Sequence, residues 1–123
     1  MSSSSRPTKI LRIIARLNTG GPAIHTILLT EALNAGGFSS TLVTGVVSPG
    51  EGDMGPFAVE RGVRPIVVPE LQRDPKVLDD LRALVKICRI VFESRPDIIH
   101  THTAKAGALG RIAGAIYNLY CRL

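Results

Sequence analysis

Apolar residues along this chain recur in two alternating patterns, short β-branched runs and longer stretches with a helical repeat. The first run, residues 10–14, is apolar almost throughout, which is typical of a parallel strand covered on both faces. The next stretch has helical spacing to about residue 35 and ends at Gly36-Gly37, where glycine supplies a left-handed stop. The side chains predicted to face inward on this helix are Ile24, Ile27, Leu28, Ala32 and Leu33.

The same alternation continues through the rest of the chain. Residues 41–44 predict a second strand, 45–56 a Gly- and Pro-rich loop, 57–61 a short helix and 64–69 a third strand. The clearest helix is predicted over 76–95, with a core stripe of Val77, Leu81, Leu84, Cys88 and Val91. A fourth strand follows at 97–102, and a last helix opens at Ala104. Strands that alternate with helices predict an α/β fold, a Rossmann-like parallel sheet with flanking helices.

The length of 123 residues predicts one domain. Residues 1–8 are Ser-rich and predict a disordered lead-in, which leaves 9–123 for the domain. The last predicted helix is apolar on several sides, as if more sheet should follow it. We therefore expect the sequence to be a truncated piece of a larger protein.

Composition argues against several classes of protein. Aromatic residues are only 4% of the chain and Trp is absent, which argues against a nucleic-acid binder that stacks bases on aromatic side chains. No signal peptide and no membrane-spanning run is evident, so the sequence predicts a cytoplasmic protein. Cys88 and Cys121 show no zinc-site spacing, and Cys88 falls on a core stripe, where an inert thiol is expected.

Positive charge is concentrated at the two ends of the chain. The net charge is +5, and all the acidic residues lie between Glu31 and Asp97. Basic ends favour contact with phosphates, anionic lipid surfaces or nucleic acid, although an ordinary soluble surface would also carry scattered positive charge.

The turn from Asn18 to Pro22 is the first candidate for chemistry. In open parallel sheets ligands bind beyond the carboxyl ends of the strands, and this turn joins the first strand to the first helix. Glycines let a ligand approach the backbone, and helix amino termini attract phosphate. The spacing matches neither G-x-G-x-x-G nor G-x-x-x-x-G-K-[ST], and a plain strand-to-helix turn would also use Gly-Gly.

The second candidate is the segment from His100 to Gly107. The two histidines are two residues apart on a strand, so they should point to the same face, with His102 nearer the carboxyl end. No further ligand lies near in sequence to complete a metal site. Lys105 could meet an anionic group or simply be exposed. Structural and functional interpretations of His102 remain open at this point, and His25 is interpreted as an ordinary helix residue.

Two segments together resemble a known family. Asn18-Thr19-Gly20-Gly21-Pro22-Ala23-x-His25 and the later run Arg95-Pro96-Asp97-Ile98-Ile99-His100-Thr101-His102-Thr103-Ala104-Lys105-Ala106-Gly107 look like the amino-terminal domain of family four glycosyltransferases. That family has the GT-B architecture, two Rossmann-like domains that face each other across a cleft. The resemblance covers nearly everything from Lys9 onward, and the histidine segment carries more of it than the glycine turn.

The resemblance implies a retaining glycosyltransferase that uses a sugar nucleotide as co-substrate and needs no metal or other cofactor. Gly20 and Gly21 would meet the donor diphosphate, His102 would be catalytic by orienting hydroxyls near the transferred sugar, and Thr103 and Lys105 would bind substrate. The acceptor, a sugar or a lipid-linked sugar, would bind mainly to this domain, and a peripheral contact with the inner membrane face is a further expectation. No nucleic-acid partner is expected.

The family's carboxyl-terminal domain, with its E-x7-E carboxylate pair, is absent from these 123 residues. We therefore expect the chain alone to be inactive and to need the missing domain or a complementing chain. Two alternatives remain: a non-catalytic binding subunit of a split glycosyltransferase, and half of a sugar-nucleotide 2-epimerase. A hydride-transfer dehydrogenase is disfavoured because its glycine fingerprint is missing.

Overall fold

A computed structural model describes residues 7–17, 20–47, 52–71, 77–102 and 104–121, with backbone only for Ala104, Lys105 and Cys121. Strands and helices alternate along the chain. In order they are β1 (Lys9–Arg16), α1 (Gly21–Ala35), β2 (Ser39–Gly45), α2 (Gly55–Glu60), β3 (Ile66–Val67), α3 (Val77–Ser94), β4 (Ile98–Thr101) and α4 (Ala104–Cys121). The strands form one parallel sheet in the order β3-β2-β1-β4. The predicted Rossmann-like α/β fold is confirmed, although β3 is shorter than expected.

Each face of the sheet has its own apolar core because successive strand residues point to opposite faces. One face packs against α3 and α4; its buried side chains from the sheet are Leu11, Ile13 and Val43, and from the helices Ala83, Ile87, Val91, Ala106, Leu109 and Ala113. The other face packs against α1 and α2 through Ile14, Leu42, Ala23, Ile27 and Ala58. The near-continuous apolarity of β1 therefore has the predicted cause, burial on both faces.

The inward face of α1 differs from the one predicted. The buried residues are Ala23, Thr26, Ile27 and Thr30, whereas Ile24 is 37% exposed. Two of these are threonines, which apolar spacing alone could not select. Their hydroxyls donate to carbonyls one turn earlier, Thr26 to Pro22 at 2.7 Å and Thr30 to Thr26 at 2.8 Å, so the buried oxygens have partners.

The core stripe of α3 is also rotated from the prediction. Ala83, Ile87 and Val91 are the buried residues, with Leu84 and Cys88 packed partly against them. Val77 and Leu81, which were predicted to face the core, are 81% and 54% exposed. The small Ala83 lies on the buried face of α3, which packs mainly against α4, and a prediction based on large apolar side chains gives that residue too little weight. Burial raises the pKa of the Cys88 thiol, in agreement with an inert core cysteine.

Close packing of α4 fixes the position of β4. A Cβ on Gly110 would lie 2.7 Å from Cγ2 of Thr101, and one on Gly114 would lie 3.3 Å from Cδ1 of Ile99. These glycines therefore let the helix rest directly on the strand. In the part of the chain that the structure describes, β4 is an edge of the sheet. None of the described helices is long and apolar enough to cross a bilayer.

Candidate functional site

The carboxyl ends of β1 and β4 meet at one edge of the sheet, and α1 begins there. The two strands run parallel with Arg12 opposite His100 and Ile13 opposite Thr101. One residue beyond β4, the backbone N–H of His102 donates to the carbonyl of Ile13 at 3.0 Å. This bond holds His102 against the end of β1, at the sheet edge where ligands bind in folds of this class.

The glycine turn forms the amino terminus of α1. Gly20 is the N-cap, Pro22 lies in the first helical turn, and no side chain caps the helix. A Cβ on Gly21 would meet no described atom within 4 Å, so packing within the described chain does not require glycine there. The turn is therefore open, with the partial positive charge of a helix amino terminus. Asn18 and Thr19 lie outside the described residues.

The two histidines share one face, as predicted. Their ring centroids are 4.4 Å apart and the rings are tilted by 46°. His100 is exposed and His102 is half-buried. The face they share is also the α1 face of the sheet, since His100 lies beside Arg12 in register. Because α1 packs over β1 and β2, the β4 side of this face is open, and Ile98 is 50% exposed.

Arg12 is a member of this cluster that the sequence pattern did not single out. It lies in the middle of an apolar strand and is only 3% exposed. Its Nη1 is 2.6 Å from Nδ1 of His100 and 3.4 Å from Nε2 of His102. Its Nε is buried without a hydrogen-bond partner. A charged residue inside an apolar strand is expected to be buried, and this is the sequence signal that points to Arg12. The concentration of positive charge at the ends of the chain does not reveal it.

The surroundings of both imidazoles favour the uncharged ring over the charged one. Burial lowers the pKa of His102 to about 4, and the charges of His100, Arg12 and His25 act in the same direction. The pKa of His100 is lowered too, first by burial and then by Arg12 and His25. A neutral imidazole donates one hydrogen bond and accepts one, so His102 is suited to orienting a ligand rather than to pairing with an anion as a cation.

His25, the fifth residue of α1, lies near this cluster. It is exposed, and its charge is close enough to influence the pKa of both strand histidines. His25 is therefore the helix residue that the sequence predicts, and it also lies near enough to the two strand histidines to lower their pKa. Thr103 lies outside the described residues, and of Lys105 only the helical backbone is described, so their proposed roles stay predictions. Among the described side chains, no group of three or more His, Cys, Asp and Glu is arranged to hold a metal.

A concavity of about 630 Å³ adjoins the site. It lies along β4, and the residues that line it include Asp97, Ile99, His100, Thr101 and Arg111. The concavity shares His100 with the histidine cluster, whereas Arg12 and His102 are not among its lining residues.

Comparison with known proteins matches the chain to one domain family and to part of one curated relative. The family described as "Glycosyl transferase 4-like domain" matches residues 20–118. A curated relative from Escherichia coli, UDP-Gal:alpha-D-GlcNAc-diphosphoundecaprenol alpha-1,3-galactosyltransferase, is 33% identical over 63 residues, which are 51% of this chain. This chain covers 16% of that relative's length.

Two solved structures share the fold at low sequence identity. A putative UDP-N-acetylglucosamine 2-epimerase from Listeria monocytogenes aligns with a TM-score of 0.69 and 19% identity, over 91% of this chain and 29% of the other. MurG from Acinetobacter baumannii aligns with a TM-score of 0.66 and 12% identity, over 90% of this chain and 33% of the other. At these identities the likeness concerns the fold alone.

Proposed function

Because the chain belongs to the glycosyl transferase 4-like domain family, we propose that it is the acceptor-side part of a retaining, sugar-nucleotide-dependent glycosyltransferase. The observation that carries the proposal is the position of His102. It lies at the carboxyl end of β4, bonded to β1, within a cluster that also contains Arg12 and His25. A sugar diphosphate at this edge would meet hydrogen-bond donors and a fixed positive charge together.

Each site residue has a role in this proposal. Gly20 and Gly21 would let the donor diphosphate approach the amino terminus of α1, where unpaired N–H groups favour anions. His102 would orient a hydroxyl of the transferred sugar or of the acceptor. Thr103 and Lys105, which follow β4 directly in sequence, would complete the substrate contacts.

The proposal needs no metal at this site. A leaving diphosphate must be stabilised by positive charge or by hydrogen-bond donors. Arg12 supplies a buried guanidinium, and α1 supplies its positive end. With the His102 pKa at about 4, the neutral imidazole contributes a donor rather than a charge near pH 7.

Most of the donor-binding groups would come from outside these 123 residues. The chain spans 16% of the curated relative and about a third or less of the two solved structures. We propose that a second Rossmann-like domain faces this one, either in a longer chain or as a complementing chain. These 123 residues on their own would then bind substrate weakly and transfer nothing.

The relative's acceptor, a diphosphoundecaprenol-linked sugar, suggests a lipid-linked acceptor here as well. A cytoplasmic protein using such an acceptor must reach a membrane surface. The outer side of α3 is suited to this, since Leu78, Leu81 and Val85 lie on one side of the helix and are 60%, 54% and 60% exposed. We name these three residues the α3 outer stripe.

Basic residues adjoin the α3 outer stripe. Arg82 directly follows Leu81, Arg89 lies one helical turn beyond Val85, and both are exposed. Lys86 is paired with Glu70, its Nζ 2.8 Å from Oε1 of the carboxylate. An exposed apolar stripe beside arginines is complementary to an anionic bilayer, where apolar side chains enter the interface and arginines meet headgroups. We therefore propose a peripheral contact of this helix with anionic lipid.

Epimerisation of a sugar nucleotide is the alternative chemistry. The likeness to the Listeria protein concerns the fold only, whereas the family match covers residues 20–118 and favours transfer. An assay that separates transferred from epimerised sugar distinguishes the two.

Transfer can be tested by co-expressing the chain with carboxyl-terminal halves of related glycosyltransferases. Purified pairs would be given UDP-galactose and other sugar nucleotides with a GlcNAc-diphospholipid acceptor. We expect an active pair, no activity from the chain alone, and a loss of at least about 100-fold for His102→Ala in the pair, since the loss of a positioning group costs several kcal/mol of transition-state stabilisation. Arg64→Ala, at an exposed position before β3, is the matched control and should leave turnover unchanged. Normal turnover by the His102→Ala pair would remove His102 from the site.

A further inference from the structure

We propose that Arg12 is a positioning residue that holds His102 in the tautomer with hydrogen on Nδ1, so that His102 offers a ligand a hydrogen-bond donor and not a base. The tautomer is a property of the chain itself. Its meaning for catalysis rests on the proposed transfer function.

The position of Arg12 in the sheet makes this contact possible. β1 is an inner strand with β2 on one side and β4 on the other, and Arg12 pairs with Leu42 and with His100. All three side chains therefore point to the α1 face. The guanidinium therefore lies on the α1 face of the sheet, where it contacts both imidazoles.

The chemistry of guanidinium determines which ring nitrogens carry hydrogen. Arginine has only donors, so each ring nitrogen that it contacts must accept. One Nη1 carries two hydrogens and can serve both contacts, His100 Nδ1 at 2.6 Å and His102 Nε2 at 3.4 Å. It follows that His100 carries its hydrogen on Nε2 and His102 carries its hydrogen on Nδ1. The His102 bond is the longer and weaker of the two, so the His100 bond anchors the guanidinium.

The charges around His102 preserve this arrangement across the neutral range. In the described part of the chain, the groups whose charges act on His102 are His100 from its own strand, Arg12 from β1 and His25 from α1, and all three are basic. With burial as the largest cause, they lower the pKa of His102 to about 4. A protonated ring would have to give up the contact with Arg12, because an imidazolium has no nitrogen left to accept.

Two functions of Arg12 are therefore separable. A structural arginine would only fill space and help the sheet to pack. A positioning arginine leaves Nε2 of His102 occupied and Nδ1–H as the polar group that a ligand can use. A donor at that point can orient a hydroxyl or phosphate oxygen, but it cannot remove a proton from an acceptor hydroxyl.

The test is the nitrogen spectrum of the histidine rings in the 123-residue chain. Long-range proton–nitrogen correlation on histidine-labelled protein reports which ring nitrogen carries hydrogen, and His25→Gln and His100→Gln assign the signals. We expect the parent to show His102 as the Nδ1–H tautomer, unprotonated from pH 8 to pH 5. His102 as the Nε2–H tautomer, or with a midpoint near pH 6.5, would overturn the proposal without any variant of Arg12.

Variants of Arg12 separate its charge from its hydrogen bonds. Arg12→Met removes both and should let His102 move to a mixture containing the Nε2–H tautomer, with a midpoint higher than in the parent. Arg12→Lys keeps the positive charge but lacks the planar guanidinium. The titration midpoint of His102 should therefore stay low, while His102 becomes a mixture of the two tautomers. Arg64→Met is the control and should match the parent. An unchanged tautomer in a folded Arg12→Met chain would assign Arg12 a purely structural role. Because no substrate is present, these results are independent of whether the transfer assay succeeds.

Discussion

At the scale of single residues, a buried arginine changes what two histidines can do. An isolated histidine titrates near pH 6.5 and can serve as base, acid or cation. Here burial and neighbouring positive groups keep His102 neutral, with a pKa of about 4, and Arg12 contacts its Nε2. His102 can therefore offer a ligand one neutral N–H donor at the carboxyl end of β4.

The lowered pKa of His102 makes stability depend on pH. The folded pKa is below the unfolded value of about 6.5, so the unfolded chain binds protons more readily, and stability is fully present above about pH 6.5 and is lost as pH falls towards 4. Because the ring is half-exposed and partly screened by solvent, we expect a loss of about 1–2 kcal/mol. Urea unfolding of the parent and of His102→Gln between pH 8 and pH 4 isolates this contribution, since the carboxylates titrate in both. Parallel stability curves for the two proteins would contradict the lowered pKa.

Residue-scale predictions from sequence were good where backbone periodicity sufficed. The two-residue spacing of His100 and His102 placed them on one face, and the structure confirms it. The partnership with Arg12 could not be found in the same way, because it depends on which strand lies beside β4 and in what register. That β1–β4 pairing joins residues 88 positions apart in the chain.

At the scale of elements, the helix bounds were predictable but their faces were not. Gly36-Gly37 and Pro96 mark helix ends that composition reveals directly, and α1 does end at Ala35. The buried faces depend on alanine and threonine at α1 and on Ala83 at α3, small or polar residues that a count of large apolar side chains passes over. Because the buried face of α3 differs from the predicted one, the α3 outer stripe lies on the surface and is a candidate for contact with a membrane.

Sedimentation with lipid vesicles tests the α3 outer stripe. We expect the chain to bind vesicles that contain phosphatidylglycerol more strongly than purely zwitterionic ones, and less strongly at high salt, because arginine–headgroup attraction is screened. Leu81→Gln with Val85→Gln should weaken binding several-fold through lost apolar insertion, and Arg82→Gln with Arg89→Gln should remove the preference for anionic lipid.

The matched control is Val59→Gln with Val67→Gln, two exposed valines away from α3, at 55% and 51% exposure. This variant should bind as the parent does. Equal vesicle binding by the stripe variant would refute the proposed contact. Self-association in lipid-free solution that the stripe variant abolishes would assign the surface to a second copy of the chain.

At the scale of the whole molecule, the fold gathers the candidate site from distant parts of the sequence. The carboxyl ends of parallel strands lie at one edge of the sheet, so the turn after β1 and the histidines at the end of β4 become neighbours although some 80 residues separate them. The strand–helix alternation predicted this architecture. The order β3-β2-β1-β4, which makes β1 an inner strand and brings Arg12 to the histidines, follows from packing across the sheet and not from any local pattern.

The central claim is that a sugar diphosphate binds where β1 and β4 end. It is tested most directly by titrating ¹⁵N-labelled chain with UDP-galactose and, separately, with a short-chain GlcNAc-diphospholipid, while backbone amide shifts are followed. We expect the shift changes to cluster at Gly20, Gly21, His25 and His102. The affinity obtained from the titration should be about tenfold weaker in His102→Ala. Shifts confined to the opposite end of the sheet, around Lys9, Ser39 and Ser94, or no shifts at millimolar ligand, would contradict it.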